Sequence, residues 1–354
     1  MNFTSSQFTE NIGQNYKIIA KGETSSKENF LKEVKHLIQE TISSNGHSPL
    51  TDMTLKHFST EGKMLRPTFA HALAQSFDID PALVINWATT CELLHNATLI
   101  HDDLQDGDEI RRGSPTTWKL YGSEQAINVG DYLLLISTRP VLLDGQEIPK
   151  QKLLELFTSM SARVVGGQVC EFELNKLENK DNLLNQYLNC IGGKTSTLFS
   201  GLALGVGLIA NESEQTLKSI ESIFFQLGNI FQIQDDILDL YGDKKRGAIG
   251  CDIKEGKISF LIATHLDKNP KDFEYLKNLL TKNRELTTEE DILELITIFE
   301  SKGTKQTVLN ALKERIETLE QDEYLQNNLV LKEMIQDCIC KILLPVKHLM
   351  AYEC

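Results

Sequence analysis

Two segments of this chain share one acidic pattern, and each lies at the end of a long stretch with helical spacing of apolar residues. The segments are Asp102-Asp103-Leu104-Gln105-Asp106 and Asp235-Asp236-Ile237-Leu238-Asp239. At about 100° per residue, the first and last aspartates of each segment project from one helix face, one turn apart. Two such faces opposed to each other would gather carboxylates around a small volume, which is strongly repulsive without a cation. The pattern therefore predicts long helices and oxygen ligands for hard divalent cations.

Helical periodicity continues along the chain from Glu28 onward and predicts an all-α fold. No segment shows a convincing period of two residues or an Asn-Gly hairpin, and no linker or composition shift divides the chain. We expect one all-helical domain over 28–350, preceded by a flexible polar arm at 1–27. The predicted helices cover 81–104, 124–139, 148–176, 181–210, 213–241, 257–266, 271–282, 288–300, 302–321 and 328–349.

The totals exclude several classes of protein. A formal net charge of −14 argues against nucleic acid or an anionic membrane surface as the main partner. The 7 cysteines form an odd, scattered set without zinc-ligand spacing, which favours reduced thiols over a disulfide framework. The longest run of small apolar residues, 197–210, is shorter than the roughly 20 residues that span a bilayer. With no apolar signal core at the N-terminus, we expect a soluble cytoplasmic protein without a transmembrane segment.

Basic residues accompany the acidic segments. Taken singly, each is typical of a solvated surface charge, but guanidinium forks match phosphate oxygens in pairs and lysines add point charges. A short loop after the first segment could bring its two arginines back toward the carboxylates. Such groups beside a metal-binding face predict two bound anions, one on metal and one on Arg and Lys alone. The residues concerned are Lys63, Arg66, Arg111, Arg112, Lys194 and Lys257.

The ordered set of motifs closely resembles the all-trans polyprenyl diphosphate synthase family, from about residue 60 to 265. The resemblance implies an isoprenoid synthase fold, in which antiparallel helices surround a deep central cavity. It also implies head-to-tail condensation of isopentenyl diphosphate with an allylic diphosphate, usually by a homodimer. The motifs are Gly-Lys-x-x-Arg-Pro at 62–67, His-x-x-x-Leu-x-His-Asp-Asp-x-x-Asp at 95–106, Arg-Arg-Gly at 111–113, Gly-Lys-Thr at 193–195 and Phe-Gln-x-x-Asp-Asp-x-x-Asp at 231–239.

The resemblance also implies a role for each matching residue. Asp102, Asp106 and Asp235 correspond to the main Mg²⁺ ligands, with three ions expected once substrate is bound. Asp103, Asp236 and Asp239 correspond to additional or water-mediated ligands. Arg111, Lys194, Thr195 and Gln232 resemble contacts to the allylic diphosphate, and the catalytic set is Asp102, Asp106, Asp235, Lys194 and Arg111. Lys63, Arg66, His95 and Arg112 resemble the isopentenyl diphosphate site, Gln168 and Glu171 a polar pair facing the cavity, and Lys257 a further family lysine.

Small residues precede the first acidic segment and bear on product length. Ala97 and Thr98 lie one turn before Asp102, where bulky aromatic residues stop chain growth in this family. Leu94 lies a further turn down, and each turn adds about 5.4 Å of depth, close to one isoprene unit. We therefore expect a product of C20 or longer, although Ala97 and Thr98 are also ordinary helix-packing residues.

The second acidic segment is followed by a departure from the family pattern. Ala248 stands where the family has a lysine that reaches the allylic diphosphate, in the stretch Gly247 to Asp252. Lys244, Lys245 and Arg246 are alternative cations in the same loop. Without such compensation, we expect weaker allylic binding or slower turnover.

Other functions compete with a chain-elongating transferase. A terpene cyclase ionises one diphosphate on related helices, but it has no role for Lys63, Arg66 and Arg112. A non-catalytic regulatory subunit of a heteromeric synthase usually loses aspartates that this chain keeps. A di-iron bundle needs paired Glu-x-x-His motifs, and Glu92-x-x-His95 has no second copy.

Overall fold

The computed structural model describes residues 26–60, 62, 64–178, 181–242 and 249–350. Its contacts group the chain into two compact units, Met1–Ser159 with Gly201–Leu217 and Met160–Ser200 with Lys218–Cys354. The prediction of an all-α fold is confirmed. The arm predicted at 1–27 lies outside the described residues as far as 25, and the single domain over 28–350 stays a prediction.

The helices, in chain order, are α1 Lys27–Ser43, α2 Pro49–Phe58, α3 Leu65–Ser76, α4 Ile85–Asp106, α5 Thr117–Tyr121, α6 Ser123–Ile136, α7 Arg139–Leu142, α8 Lys150–Asn175, α9 Leu183–Ile191, α10 Thr197–Ile209, α11 Glu214–Tyr241, α12 Cys251–Lys254, α13 Phe260–Lys268, α14 Phe273–Leu280, α15 Glu289–Ser301, α16 Thr304–Glu320, α17 Glu323–Asn327 and α18 Leu329–Leu343. Short 3₁₀ helices cover Pro81–Val84, Pro270–Asp272, Arg284–Leu286 and Leu344–Leu349, and a π-helix covers Gly192–Ser196. Two strands, β1 Ile110–Arg111 and β2 Ser114–Pro115, form an antiparallel pair. No helix within the described ranges has the length and apolar character needed to cross a membrane.

The helix that carries the first acidic segment is α4, which packs against α6, α1 and α3 within the first unit. Asp80 caps the 3₁₀ turn that leads into it, and its side chain accepts a hydrogen bond from the N–H of Ala82. The fully buried Trp87 donates from Nε1 to the carbonyl oxygen of Leu202 at 3.0 Å. A Cβ at Gly205 would lie 2.0 Å from that nitrogen, so this contact requires glycine. These contacts fix α4 as a rigid support for the carboxylates at its end.

The helix predicted over 181–210 is divided in the second unit. A π-helical turn, Gly192–Ser196, separates α9 from α10. A Cβ at Gly167 on α8 would lie 2.3 Å from the backbone nitrogen of Lys194, so the two backbones cross in direct contact. The extra residue of a π turn offsets the helix beyond it, and such turns are frequent at functional sites. The periodicity of the sequence did not reveal this break.

The prediction of uniformly reduced cysteines is wrong for one pair. Cys170 on α8 and Cys190 on α9 form a disulfide, with their Cα atoms 5.3 Å apart. The two positions are 20 residues apart in sequence, on helices whose packing brings the side chains together. Cys91 and Cys338 are free thiols.

Candidate active site

The first acidic segment forms the last turn of α4. Gly107 ends the helix with a φ of 72°, and its N–H donates to the carbonyl oxygen of Asp103. The side chain of Asp103 is buried, whereas Asp102 and Asp106 are partly exposed. The segment therefore presents its first and last carboxylates outward and keeps the middle one inside the unit.

A two-residue hairpin returns the chain to the buried carboxylate. Arg112 and Gly113 join the strands with φ values of 53° and 76°, which indicates a type I′ turn. Arg111 Nε donates to Asp103 Oδ1 at 2.5 Å. Burial raises the pKa of Asp103 to about 6, and the neighbouring Arg111 opposes that rise. The expectation that this loop folds back toward the carboxylates is confirmed for Arg111, although no hairpin was predicted.

A cationic cluster in the same unit surrounds Glu92. Arg66 and Arg112 interact electrostatically with this buried carboxyl group, and His95 lies close to both arginines. Burial raises the pKa of Glu92, and Arg66 opposes that rise. A Cβ at Gly62 would lie 2.8 Å from Arg112 Nη1, so the loop before α3 runs against the guanidinium. The structure thus brings together three of the four residues predicted to bind isopentenyl diphosphate.

The fourth predicted residue of that set, Lys63, lies outside the described residues. His95 is half-buried, and burial lowers its pKa well below the usual value, as do the nearby Arg66 and Arg112. Neutral imidazole near two guanidinium groups offers a hydrogen bond to an anion without adding charge. Such a group suits an isopentenyl diphosphate site, although that role stays a prediction.

Two further residues of this cluster were missed by the sequence analysis. Asn96 donates from Nδ2 to Glu92 Oε1 at 3.2 Å and shares a 3.1 Å hydrogen bond with His57 Nε2. Burial lowers the pKa of His57 to about 4. One feature of the sequence pointed to a polar cluster here, because Glu92 is a lone carboxylate in an apolar helix. A carboxylate buried at that depth needs a cation or hydrogen-bond donors nearby.

The three residues expected to control product length lie along α4. Ala97 and Leu94 are buried, and Thr98 is partly exposed, with its hydroxyl donating to the carbonyl oxygen of His95 at 2.7 Å. Their place on the wall of a substrate tunnel stays a prediction.

The second acidic segment lies near the end of α11 and repeats the arrangement of the first. Asp235 is exposed, Asp239 is partly exposed and Asp236 is buried. Asp236 accepts hydrogen bonds from Tyr187 Oη at 2.6 Å, the backbone N–H of Phe260 at 2.6 Å and Gln232 Nε2 at 3.1 Å. Burial, with Asp252 nearby, raises the pKa of Asp236 to about 8.

Asp239 ties the end of α11 to the segment that follows. Its Oδ1 accepts from the N–H of Cys251 at 2.9 Å, and its carbonyl oxygen accepts from the N–H of Gly250 at 3.0 Å. Burial and the nearby Asp252 raise the pKa of Asp239 to about 8. The departure at Ala248 and the cations at 244–246 lie outside the described residues.

The π-helical turn brings polar groups to this acidic segment. Lys194 Nζ contacts Glu171 Oε2 at 2.6 Å. Thr195 Oγ1 donates to Gln232 Oε1 at 2.9 Å, and Gln232 in turn donates to Asp236. The structure therefore joins Thr195 and Gln232 to the second acidic segment in one chain of hydrogen bonds. Gln168 lies one turn before Glu171 on α8.

Lys257, the remaining predicted cation, pairs with a carboxylate of the same loop. Its Nζ lies 2.8 Å from Glu255 Oε2, and Arg284 Nη2 lies 3.2 Å from the other oxygen of Glu255. The side chain of Glu255 is almost fully buried, so removing either cation would leave a buried charge without one of its partners.

The donor sets of the two segments fit a hard divalent cation. Within the described ranges, no three His, Cys, Asp or Glu side chains are close enough to hold a metal ion by themselves. Mg²⁺ usually binds one or two carboxylates and completes its shell with water and substrate phosphates. Asp102 with Asp106, one turn apart, and the exposed Asp235 supply such oxygens. Each of the two donor sets therefore suits a cation that is shared with a phosphorylated substrate.

An all-α chain with two acidic helix ends and clustered cations defines an enzyme class that handles diphosphates with a metal. The polyprenyl synthetase family model matches residues 47–299. The chain belongs to the polyprenyl synthetase family.

Named relatives agree with this assignment. The chain is 33% identical over 242 residues to a short chain isoprenyl diphosphate synthase of Methanocaldococcus jannaschii, covering 66% of this chain and 72% of the relative. It is 31% identical over 251 residues to a geranylgeranyl diphosphate synthase of Saccharolobus solfataricus, covering 69% and 74%. A crystal structure of a geranylgeranyl pyrophosphate synthase superposes with a TM-score of 0.80 at 25% identity, covering 90% of this chain and 98% of that one.

The predicted reaction class is thereby confirmed. The chain is a trans-prenyltransferase that joins isopentenyl diphosphate head-to-tail to an allylic diphosphate, and the cyclase and regulatory-subunit alternatives are not favoured. Prenyl diphosphate synthases are generally metal-dependent. The assignment of roles to individual residues, the identity and number of the metal ions and the oligomeric state stay predictions.

Proposed function

We propose that this chain is a magnesium-dependent synthase of an all-trans prenyl diphosphate of C20 or longer. Asp102, Asp106 and Asp235 are the main metal ligands in this proposal, with three Mg²⁺ ions bound together with the allylic diphosphate. The observation that carries the proposal is that both acidic segments bury the middle carboxylate and leave the first one at least partly exposed. Asp103 and Asp236 then hold the helix ends in place and are not direct metal ligands.

The allylic diphosphate leaves during the first step, and negative charge develops on its oxygens. We assign Lys194 and Arg111 as cations that stabilise this charge, because preorganised groups act most strongly where charge appears. The partly exposed Lys194 is held by Glu171, and Thr195 is held by Gln232, so both are oriented before substrate binds. When bound, Mg²⁺ supplies further electrostatic stabilisation of the same oxygens.

The second substrate binds at the Glu92 cluster in this proposal. Arg66 and Arg112 contact the diphosphate of isopentenyl diphosphate, and Lys63 is a further cation for it. Before the substrate binds, Glu92 keeps the two guanidinium groups close together. The isopentenyl double bond attacks the allylic carbon, and the departing diphosphate accepts the proton lost from the adduct. Apolar surroundings exclude water from the allylic cation.

The product length rests on the small side chains of α4. Ala97 and Leu94 are buried, which supports a position on the wall of a chain-binding tunnel. We expect Ala97→Phe to shorten the product by at least one isoprene unit, because an aromatic ring fills about one helical turn of depth. Chromatography of dephosphorylated products measures the length, and Thr90→Val is the packing control on the same helix. An unchanged product length would place the limiting residue elsewhere.

A homodimer is proposed on the basis of exposed apolar side chains. Val165, Val169 and Phe172 recur at helical spacing on α8, with exposed fractions of 59%, 56% and 38%. A contiguous apolar stripe of this kind on an enzyme surface is typical of a subunit interface. Sedimentation of the wild-type protein and of Val169→Glu tests this proposal, because a charge in the stripe should yield monomers.

The reaction is tested with purified protein, Mg²⁺, isopentenyl diphosphate and an allylic primer of C5, C10 or C15. Mass analysis of dephosphorylated products gives reaction type and chain length together. We expect successive additions of C5 units up to C20 or beyond and no cyclic hydrocarbon. Failure to condense any primer would overturn the proposed activity for this chain.

A further inference from the structure

A cavity of about 500 Å³ lies in the second unit, and Gly192 and Gly193 of the π-helical turn form part of its lining. Arg163 and Arg315 contribute two guanidinium groups to its lining, and Asn189 and Asn229 contribute carboxamides. The described residues that line it include no carboxylate. Arg163 Nη1 lies 3.8 Å from Glu221 Oε1, beyond hydrogen-bond distance, so its guanidinium group is only partly neutralised. Because guanidinium groups attract negative charge, the cavity suits a small anion with hydrogen-bonding groups.

The Cys170–Cys190 disulfide lies at this cavity. Cys170 is one of the lining residues and is partly exposed, whereas Cys190 is buried. An exposed disulfide is more readily exchanged than one enclosed in a core. The cavity therefore offers both a recognition surface for an anion and a reactive bond.

We propose that this cavity is a thiol–disulfide exchange site for a small anionic thiol. The incoming thiolate attacks Sγ of Cys170, the bond between the two cysteines breaks, and Cys190 leaves as a thiolate that takes a proton from solvent. A second molecule of the thiol then attacks the mixed disulfide and releases Cys170. The net change is reduction of the protein disulfide to two thiols and oxidation of two small thiols to their disulfide.

The exchange site is directly connected to the residues that hold Lys194. Cys170 precedes Glu171 in α8, and Cys190 lies two residues before the π-helical turn that carries Lys194. The disulfide therefore joins the two segments whose side chains make the Lys194–Glu171 ion pair. Its reduction loosens that pair and weakens binding of the allylic diphosphate, a consequence that rests on the proposed role of Lys194.

The recognition step is tested by the kinetics of two thiols. Oxidised protein is treated with glutathione, an anionic tripeptide thiol, or with the neutral 2-mercaptoethanol, and adducts are mapped by mass spectrometry after alkylation. We expect an adduct on Cys170 and, for Arg163→Gln, about a fivefold slower reaction with glutathione but an unchanged one with 2-mercaptoethanol. Arg163 is half exposed, so the variant should fold. Equal slowing with both thiols, or no adduct on Cys170, would overturn the proposal.

The effect on catalysis is tested with oxidised and reduced protein in parallel. Reduction should raise KM for the allylic diphosphate about threefold, leave KM for isopentenyl diphosphate unchanged, and have no effect on Cys170→Ser. Cys338→Ser replaces a free thiol, is the matched control and should respond as the wild-type protein does. Identical KM values in the two redox states would contradict the regulatory part. If neither the oxidised nor the reduced protein condensed the two substrates, the proposed function would be refuted. The mass-spectrometric mapping of adducts would still test the exchange site in that case.

Discussion

The two acidic segments have the same sequence pattern, but their buried carboxylates are held by different chemistry. Asp103 in the first unit forms an ion pair with Arg111, and its pKa is raised only to about 6. Asp236 in the second unit accepts hydrogen bonds from a phenol, an amide side chain and a backbone N–H, and its pKa is raised to about 8. One segment is thus secured by a cation and the other by neutral donors.

This difference separates two roles of the aspartates in the repeated motif, metal binding by the outward residues and anchoring of the helix end by the inward ones. The outward aspartates bind the metal in our proposal, and they need the same chemistry in both segments. The inward aspartates fix the end of a helix, and any donor set that satisfies a buried carboxyl group is sufficient. Burial and the nearby Asp252 raise the pKa of Asp236 to about 8, so the second segment changes its charge at a higher pH than the first.

The largest effect is expected from an outward carboxylate. Asp235→Asn keeps the shape of the side chain but removes its charge, and we expect kcat to fall at least about a hundredfold. Incorporation of labelled isopentenyl diphosphate measures the loss. Since Asp235 is exposed, urea unfolding should give the wild-type free energy. The same substitution at Asp102 should behave alike, and retention of more than a tenth of the activity in either variant would refute the assignment of outward positions as metal ligands.

A smaller effect is expected from removing the cation of the first segment. Arg111→Gln leaves the buried Asp103 without its ionic partner, and we expect the free energy of unfolding to fall by about 2 kcal/mol. Lys119→Gln is the matched control, because Lys119 pairs with Glu109 at 2.7 Å on the surface of the same region. Such an exposed pair contributes at most about 1 kcal/mol. Equal losses in the two variants would mean that the burial of Asp103 has no energetic consequence.

The part of this arrangement that could be predicted from the sequence is local. Helical periodicity predicted α4 and α11, and the aspartates at their ends follow from the spacing of the pattern. Arg111 is 8 residues from Asp103, so a short loop was sufficient to suggest their contact. The family resemblance identified the reaction, because its motifs are specific as an ordered set.

The contacts that could not be predicted join residues distant in sequence. Tyr187 and the N–H of Phe260 are 49 and 24 residues from Asp236, and their approach depends on how three helices pack. The Cys170–Cys190 bond and the π-helical turn have the same origin. A single sequence contains the apolar faces of helices but not the register in which those faces meet. The burial of the middle aspartates was missed for this reason.

The pH dependence of stability distinguishes the two segments further. An Asp whose folded pKa exceeds its unfolded value of about 4 binds a proton in the folded protein over the intervening range. The stabilisation that this proton gives the folded protein is complete below the unfolded pKa of about 4. For Asp236 it is lost as the pH rises through the folded pKa of about 8. We therefore expect ionisation of Asp236 to cost the metal-free protein about 2 kcal/mol of unfolding free energy between pH 6 and pH 8.

The variant Asp236→Asn identifies the source of that loss. It cannot ionise, so its unfolding free energy should fall less steeply above pH 6 than that of the wild-type protein. Asp239, whose pKa is also raised to about 8, retains part of the slope. Asp103→Asn should change the profile only below about pH 6, because the pKa of Asp103 is about 6. Parallel profiles for all three proteins in urea titrations would contradict the electrostatic difference between the segments.

The smallest effect is expected from the phenol that holds the second segment. Tyr187→Phe removes one of three donors to Asp236 but keeps the ring, whose centroid lies 5.8 Å from that of Phe260. Because Asp236 retains the N–H of Phe260 and the amide of Gln232, we expect a loss of about 1 kcal/mol, half that of Arg111→Gln. Tyr275→Phe on α14 is the control. A loss for Tyr187→Phe as large as that for Arg111→Gln would show that a neutral donor secures a buried carboxylate as firmly as a cation does.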